Sequence, residues 1–162
     1  MLKKIVILLF ILISINLNAK DMSKYDKYVN FEYGFGSNKL YLFITPGCSH
    51  CDKLIKKIKL FPELNTYKFF LIPMNHIGNS NDKVKSILSE KKKDRFKKLL
   101  VSEHIQYKNY KGNDTKEILE TIKRNKIIFE SNNGKYVPYI LNKNGNSINT
   151  YGSEFSNYSN IF

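Results

Sequence analysis

Cys48 and Cys51 are the only cysteines in the 162 residues, and Ser49 and His50 separate them. Two thiols at that spacing can close a small disulfide or pass a disulfide to another molecule. A structural crosslink is the poorer use of them, because closing so short a loop stabilises little. An apolar, β-branched and aromatic run, Leu40-Tyr41-Leu42-Phe43-Ile44-Thr45, leads into the pair. Cys51, Leu54, Ile55 and Ile58 then recur at helical spacing. The pair therefore stands at a strand-to-helix junction. There, the unpaired N–H groups of the helix start favour a thiolate on the first sulfur, and the thiolate is the nucleophile of disulfide exchange. A protonated His50 beside Cys48 adds positive charge to the same effect. A zinc site would need two more ligands. His50, His76 and His104 lack ligand spacing and no second cysteine pair exists, so neither a metal nor another cofactor is expected.

The flanking pattern shows what holds this junction. Val29, Phe31 and Tyr33 alternate with Asn30 and Glu32, a short edge strand, and Lys39–Thr45 is the first central strand. The helix after the cysteines runs to about Leu60, since Pro62 cannot continue it. Tyr67–Pro73 reads as a second central strand, apolar on both faces. Ser80-Asn81-Asp82 can cap a helix with Val84, Ile87 and Leu88 inward, and Arg95–Val101 forms another helix. Asp114 or Thr115 starts one with Ile118, Leu119 and Ile122 on one side. Tyr136–Leu141 and Ser147–Tyr151 flank Asn144-Gly145 as a hairpin, and a short terminal helix follows Gly152. A parallel βαβ unit followed by an antiparallel hairpin, with the cysteine pair at the first strand's carboxyl end, is the thioredoxin plan. The fold expected is thus α/β and thioredoxin-like. A helical insertion at about 78–128 separates its βαβ and ββα halves, and residues 20–162 make one domain.

Residues 1–19 open with Met1-Leu2-Lys3-Lys4, run apolar from Ile5 to Ile15 and end Leu17-Asn18-Ala19. That is the layout of a secretory signal peptide cleaved after Ala19. The apolar stretch is short of the roughly 20 residues a spanning helix needs. Export leads to an oxidising space where thiol–disulfide chemistry operates. The net charge of +13 comes almost wholly from lysine, with Arg95 and Arg124 the only arginines. Nucleic-acid recognition favours arginine, so the charge reads as a solubility and steering feature and no nucleic-acid partner is expected.

Tyr33-Gly34 and Lys39 through Leu54, including Thr45-Pro46-Gly47-Cys48-Ser49-His50-Cys51, resemble the catalytic domains of bacterial periplasmic Dsb proteins. The resemblance is closest to the DsbC/DsbG branch, which also has a helical insertion and a proline-containing strand before an Asn-Gly turn. It covers roughly residues 30–155. It implies that Cys48 is the exposed nucleophile and Cys51 the resolving thiol, the two forming a redox-active disulfide. It also implies that Pro138 is a cis-proline facing the dithiol and that Val137 offers its backbone to an extended substrate. His50 and Val137 resemble the oxidase DsbA instead. The first central strand carries no acidic residue of the kind many thioredoxin-like proteins use to deprotonate the resolving thiol. Only about twenty residues of mature chain precede that strand, so no dimerisation domain of the DsbC/DsbG kind is present and a monomer is expected.

The function implied is that of an exported, periplasmic thiol:disulfide oxidoreductase of oxidase or isomerase type. Its partners are cysteine-containing exported proteins and a membrane redox partner that resets the dithiol. Two alternatives stand beside it. One is a dedicated periplasmic reductase, for example in cytochrome c maturation. The other is a non-catalytic binding or chaperone-like module of the same fold, using the lysine-rich insertion and aromatics such as Tyr107 and Tyr110.

Overall fold

The computed structural model describes residues 20–101 and 114–148. The expected signal peptide, His104, Tyr107, Tyr110 and the terminal helix after Gly152 lie outside them. Five strands form one sheet among the described residues: β1 (Phe31–Tyr33), β2 (Asn38–Ile44), β3 (Asn65–Leu71), β4 (Tyr139–Asn142) and β5 (Ser147–Ile148), in the order β1-β3-β2-β4-β5. The two runs that are apolar on both faces, β2 and β3, sit at the centre and pair in parallel, Leu42 opposite Phe69. The shorter strands β1 and β4 pair antiparallel to β3 and β2, and β5 pairs antiparallel to β4. The central strands begin and end before the sequence suggests, β2 by one residue and β3 by two, because pairing extends to Asn38 and Asn65 and stops short of Thr45 and Ile72.

Among the described residues, four α-helices cover the sheet: α1 (Ser49–Leu60), α2 (Ser80–Leu88), α3 (Arg95–Val101) and α4 (Lys116–Ser131). Phe96 of α3 stacks on Tyr33 and tilts against Phe31 and Phe69, and α1 buries Leu54, Ile55 and Ile58 beside α3. On the other face, Phe129 of α4 meets Phe43 of β2 and Tyr139 of β4. Burial on both faces makes the sheet a rigid platform for the loops at its edge.

Three expectations need correction. Ser80-Asn81-Asp82 do not cap α2. Asn79 is its cap residue, in a left-handed conformation, while the Ser80 hydroxyl both accepts from the Met74 N–H and donates to the Met74 carbonyl. Leu119 leaves the inward side of α4 and is 45 % exposed, because the buried stripe runs through Ile118, Asn125, Ile128 and Phe129. Lys68 interrupts the apolar β3. It is buried opposite Tyr41, with its ammonium 3.1 Å from Asp26 and 3.0 Å from Glu32, while the Tyr41 hydroxyl donates to Asp26. A buried cation needs such partners. Thr115, by contrast, caps α4 as expected, accepting from the Ile118 N–H.

Candidate active site

β2 ends at Ile44, and the chain then turns through Thr45-Pro46-Gly47-Cys48, closed by the Cys48 N–H on the Thr45 carbonyl at 3.2 Å. Proline second and a glycine with φ of +86° third are the requirements of a type II turn. The turn delivers Cys48 as the cap residue of α1, with extended backbone and its carbonyl accepting the first helical bond from Asp52. Its sulfur therefore stands at the helix start, within reach of the first-turn N–H groups.

Cys48 is partly buried and Cys51, one turn on, is fully buried; both are reduced. The Cys48 thiol titrates at about 6, well below its ordinary 9.0. The leading cause is the Cys51 thiol, which donates to the Cys48 sulfur. Partial burial opposes it, and the backbone N–H groups of Cys51 and His50 and the His50 charge add to it. Cys51 moves the opposite way, well above 9.0, chiefly because burial penalises its charged form. Its bond to Cys48 and the neighbouring negative charge of Cys48 push in the same direction. One sulfur is thus poised as a nucleophile while the other keeps its proton.

The far wall comes from the chain between α4 and β4. Val137–Pro138 is a cis peptide, and the Cys48 sulfur lies 3.8 Å from the Val137 carbonyl oxygen. Both residues are buried, whereas Tyr136 just before them is 63 % exposed. The structure therefore brings together Cys48, Cys51, Val137 and Pro138, with His50 exposed on the first turn of α1. No carboxylate is fully buried among the described residues. Nor do they contain a cluster of three or more metal-ligating side chains.

Two further residues reach the site that the sequence pattern did not single out. Thr45 is fully buried and its hydroxyl donates to the Ile72 carbonyl at 2.5 Å, tying the end of β2 to the chain leaving β3. Lys83 of α2 lays its ammonium where a side chain on Gly47 would be, against the backbone just before Cys48. A glycine before a reactive cysteine hints at close approach, but nothing in a lysine-rich stretch marks which lysine makes it.

The fold has solved counterparts. The thiol-disulfide exchange protein alpha-DsbA2 from Wolbachia pipientis superposes with a TM-score of 0.63 at 16% identity, over 82% of this chain and 88% of its own. A linker-deletion variant of ScsC from Proteus mirabilis gives 0.65 at 14% identity, over 98% and 92%. The fold is that of the thioredoxin-like Dsb proteins. DsbG from Helicobacter pylori shares the thioredoxin-like architecture at a TM-score of 0.54 and 19% identity, over 76% of this chain and 62% of its own. No protein-family model and no curated protein matches the sequence. Across such low identities the thioredoxin-like likeness speaks for the fold, and the chemistry has to be argued from the site itself.

Proposed function

We propose that this protein is an exported thiol:disulfide oxidoreductase that exchanges disulfides with protein substrates through Cys48 and Cys51. The observation that carries the reading is the acidic Cys48 sulfur at a helix start, bonded by a buried, protonated Cys51 and facing the backbone of Val137. Stabilising the Cys48 thiolate stabilises the reduced protein and makes its disulfide the stronger oxidant, which favours the oxidising direction. In that direction a substrate thiolate attacks the Cys48 sulfur of the disulfide and expels Cys51, which takes up a proton. The substrate's second thiolate then attacks its own sulfur in the mixed disulfide and expels Cys48 as a thiolate. The substrate loses two electrons and the protein gains them. A membrane-bound disulfide partner would take those electrons away.

In the reverse, reducing direction Cys48 is the nucleophile and Cys51 the resolving thiol, and in both directions His50 supports the Cys48 thiolate. Val137 and Pro138 form the wall on which an extended substrate pairs, its backbone bonding to Val137 as one more strand would. No helix among the described residues is long and apolar enough to cross a membrane. Residues 1–19 would act as the signal peptide, and the mature chain would work as a periplasmic monomer. Oxidative refolding of a reduced, disulfide-containing substrate tests the reading. The oxidised protein should restore substrate activity, and Cys48→Ser protein should not. Equal refolding by both would remove the enzymatic reading and leave a binding module.

A further inference from the structure

Lys83 lies over Gly47, next to Cys48, and Lys126 and Lys135 rim a neighbouring cleft. We propose that the protein selects substrates with acidic residues next to the reacting cysteine, read by Lys83 over Gly47 and by a neighbouring basic-rimmed cleft. The proposal rests on the exchange function above and names its substrate class.

The cleft has a volume of about 280 Å³. It lies between the chain leaving β3 and the end of α4, with Ile72, Met74 and Phe129 as its apolar lining and His76, Lys126 and Lys135 among its polar groups. Both walls are anchored to the sulfur's own surroundings. On one wall, the Ile72 N–H donates to the Ile44 carbonyl and the Ile72 carbonyl accepts from Thr45, three residues before Cys48. On the other, Lys135 stands two residues before Val137, whose carbonyl faces the sulfur. The two Ser80–Met74 bonds fasten the start of α2 to the same loop that carries His76. The helix bearing Lys83 and the cleft wall are therefore one braced unit, which holds the Lys83 ammonium over Gly47.

The charge balance favours an anionic guest. In the cleft, Lys126 and Lys135 face one carboxylate, Glu130. It pairs with Lys126 at 3.9 Å, with both side chains more than half exposed, so the pairing is weak. Asp82 and Asp52 are the acids nearest in sequence to Lys83 and Cys48. An extended peptide on Val137 would run its flanking residues towards these lysines. Acidic side chains there would gain both steering and contact, and lysines would be repelled.

The test follows mixed-disulfide formation by reduced protein with peptides of one length. Each carries its cysteine as a disulfide, flanked by aspartates, asparagines or lysines. The uncharged hydroxyethyl disulfide reports the dithiol chemistry alone. At low salt the aspartate peptide should react roughly tenfold or more faster than the lysine peptide, and the gap should shrink at high salt. Lys126→Gln with Lys135→Gln should narrow the gap several-fold while leaving the hydroxyethyl disulfide rate unchanged, and Lys83→Met should narrow it when each peptide rate is divided by that variant's own hydroxyethyl disulfide rate. Lys59→Gln with Lys116→Gln removes the same formal charge as the first pair from the other end of α1 and α4, and should leave the gap intact. Equal rates for the three peptides would overturn the proposal, as would an equal narrowing by the remote pair. Failure of the wild-type protein to exchange with hydroxyethyl disulfide would instead sink the underlying function.

Discussion

The acidity of Cys48 owes more to the thiol one turn away than to the histidine between them. Replacing Cys51 by alanine removes the leading cause of the low pKa, whereas His50→Ala removes only the lesser contribution of the imidazole charge. Thiolate absorbance followed against pH should therefore move up from about 6 further in Cys51→Ala than in His50→Ala. The reverse order would show that the imidazolium dominates. The same shift ties redox state to stability. The folded pKa of Cys48 is depressed, so the thiolate's contribution is complete above the unfolded value near 9.0 and is lost as pH falls through about 6. Cys51, with a raised pKa, opposes this only above its own unfolded value of 9.0 and stays out of that window. Reduced protein should accordingly gain stability, relative to oxidised protein, as pH rises from about 6 to 9. Paired urea melts of the two forms measure this, and parallel curves would refute it.

Among the elements, α4 is tied to the sheet by a buried amide network. The Asn125 amide donates to Asn30 Oδ1 at 2.8 Å and to the Leu71 carbonyl at 2.9 Å, while Asn30 Oδ1 also accepts from the Leu71 N–H. Asn125→Ala would leave a buried carbonyl without its donor, at a cost of about 1–3 kcal/mol. Since α4 leads into Val137, a drop in the urea midpoint with Cys48 still titrating at about 6 would mark the network as support for the fold alone. A change in that titration would mean that α4 also sets the position of the wall. Elements whose signals are local were legible in the sequence: the helix after Cys48, the Thr115 cap, the Asn144-Gly145 hairpin. Signals that depend on distant partners were not. Ser80 looks like a cap until Met74 arrives, and Lys68 looks misplaced in a central strand until Asp26 and Glu32 meet it.

For the molecule as a whole, the thioredoxin-like plan was readable because two apolar runs, a helix and a hairpin admit few arrangements. The site was half readable. Cys48 and Cys51 announce themselves by spacing, whereas the approach of Val137 to the sulfur and of Lys83 to Gly47 depends on the closed fold. That difference has a history in time. Cys48, Cys51 and the helix start are neighbours in sequence, but Cys48 and Val137 are separated by 89 positions. Contacts across so long a loop bear a larger closure entropy than the turn and helix do, and contacts of that range form late in folding. A newly emerging chain should thus own a reactive sulfur before it owns any means of choosing what that sulfur meets. Pulses of a thiol reagent during refolding should find Cys48 reacting at its native speed before peptide exchange returns. Simultaneous recovery would show that the order is wrong. Until the hairpin half closes over it, the future catalyst is itself an indiscriminate substrate.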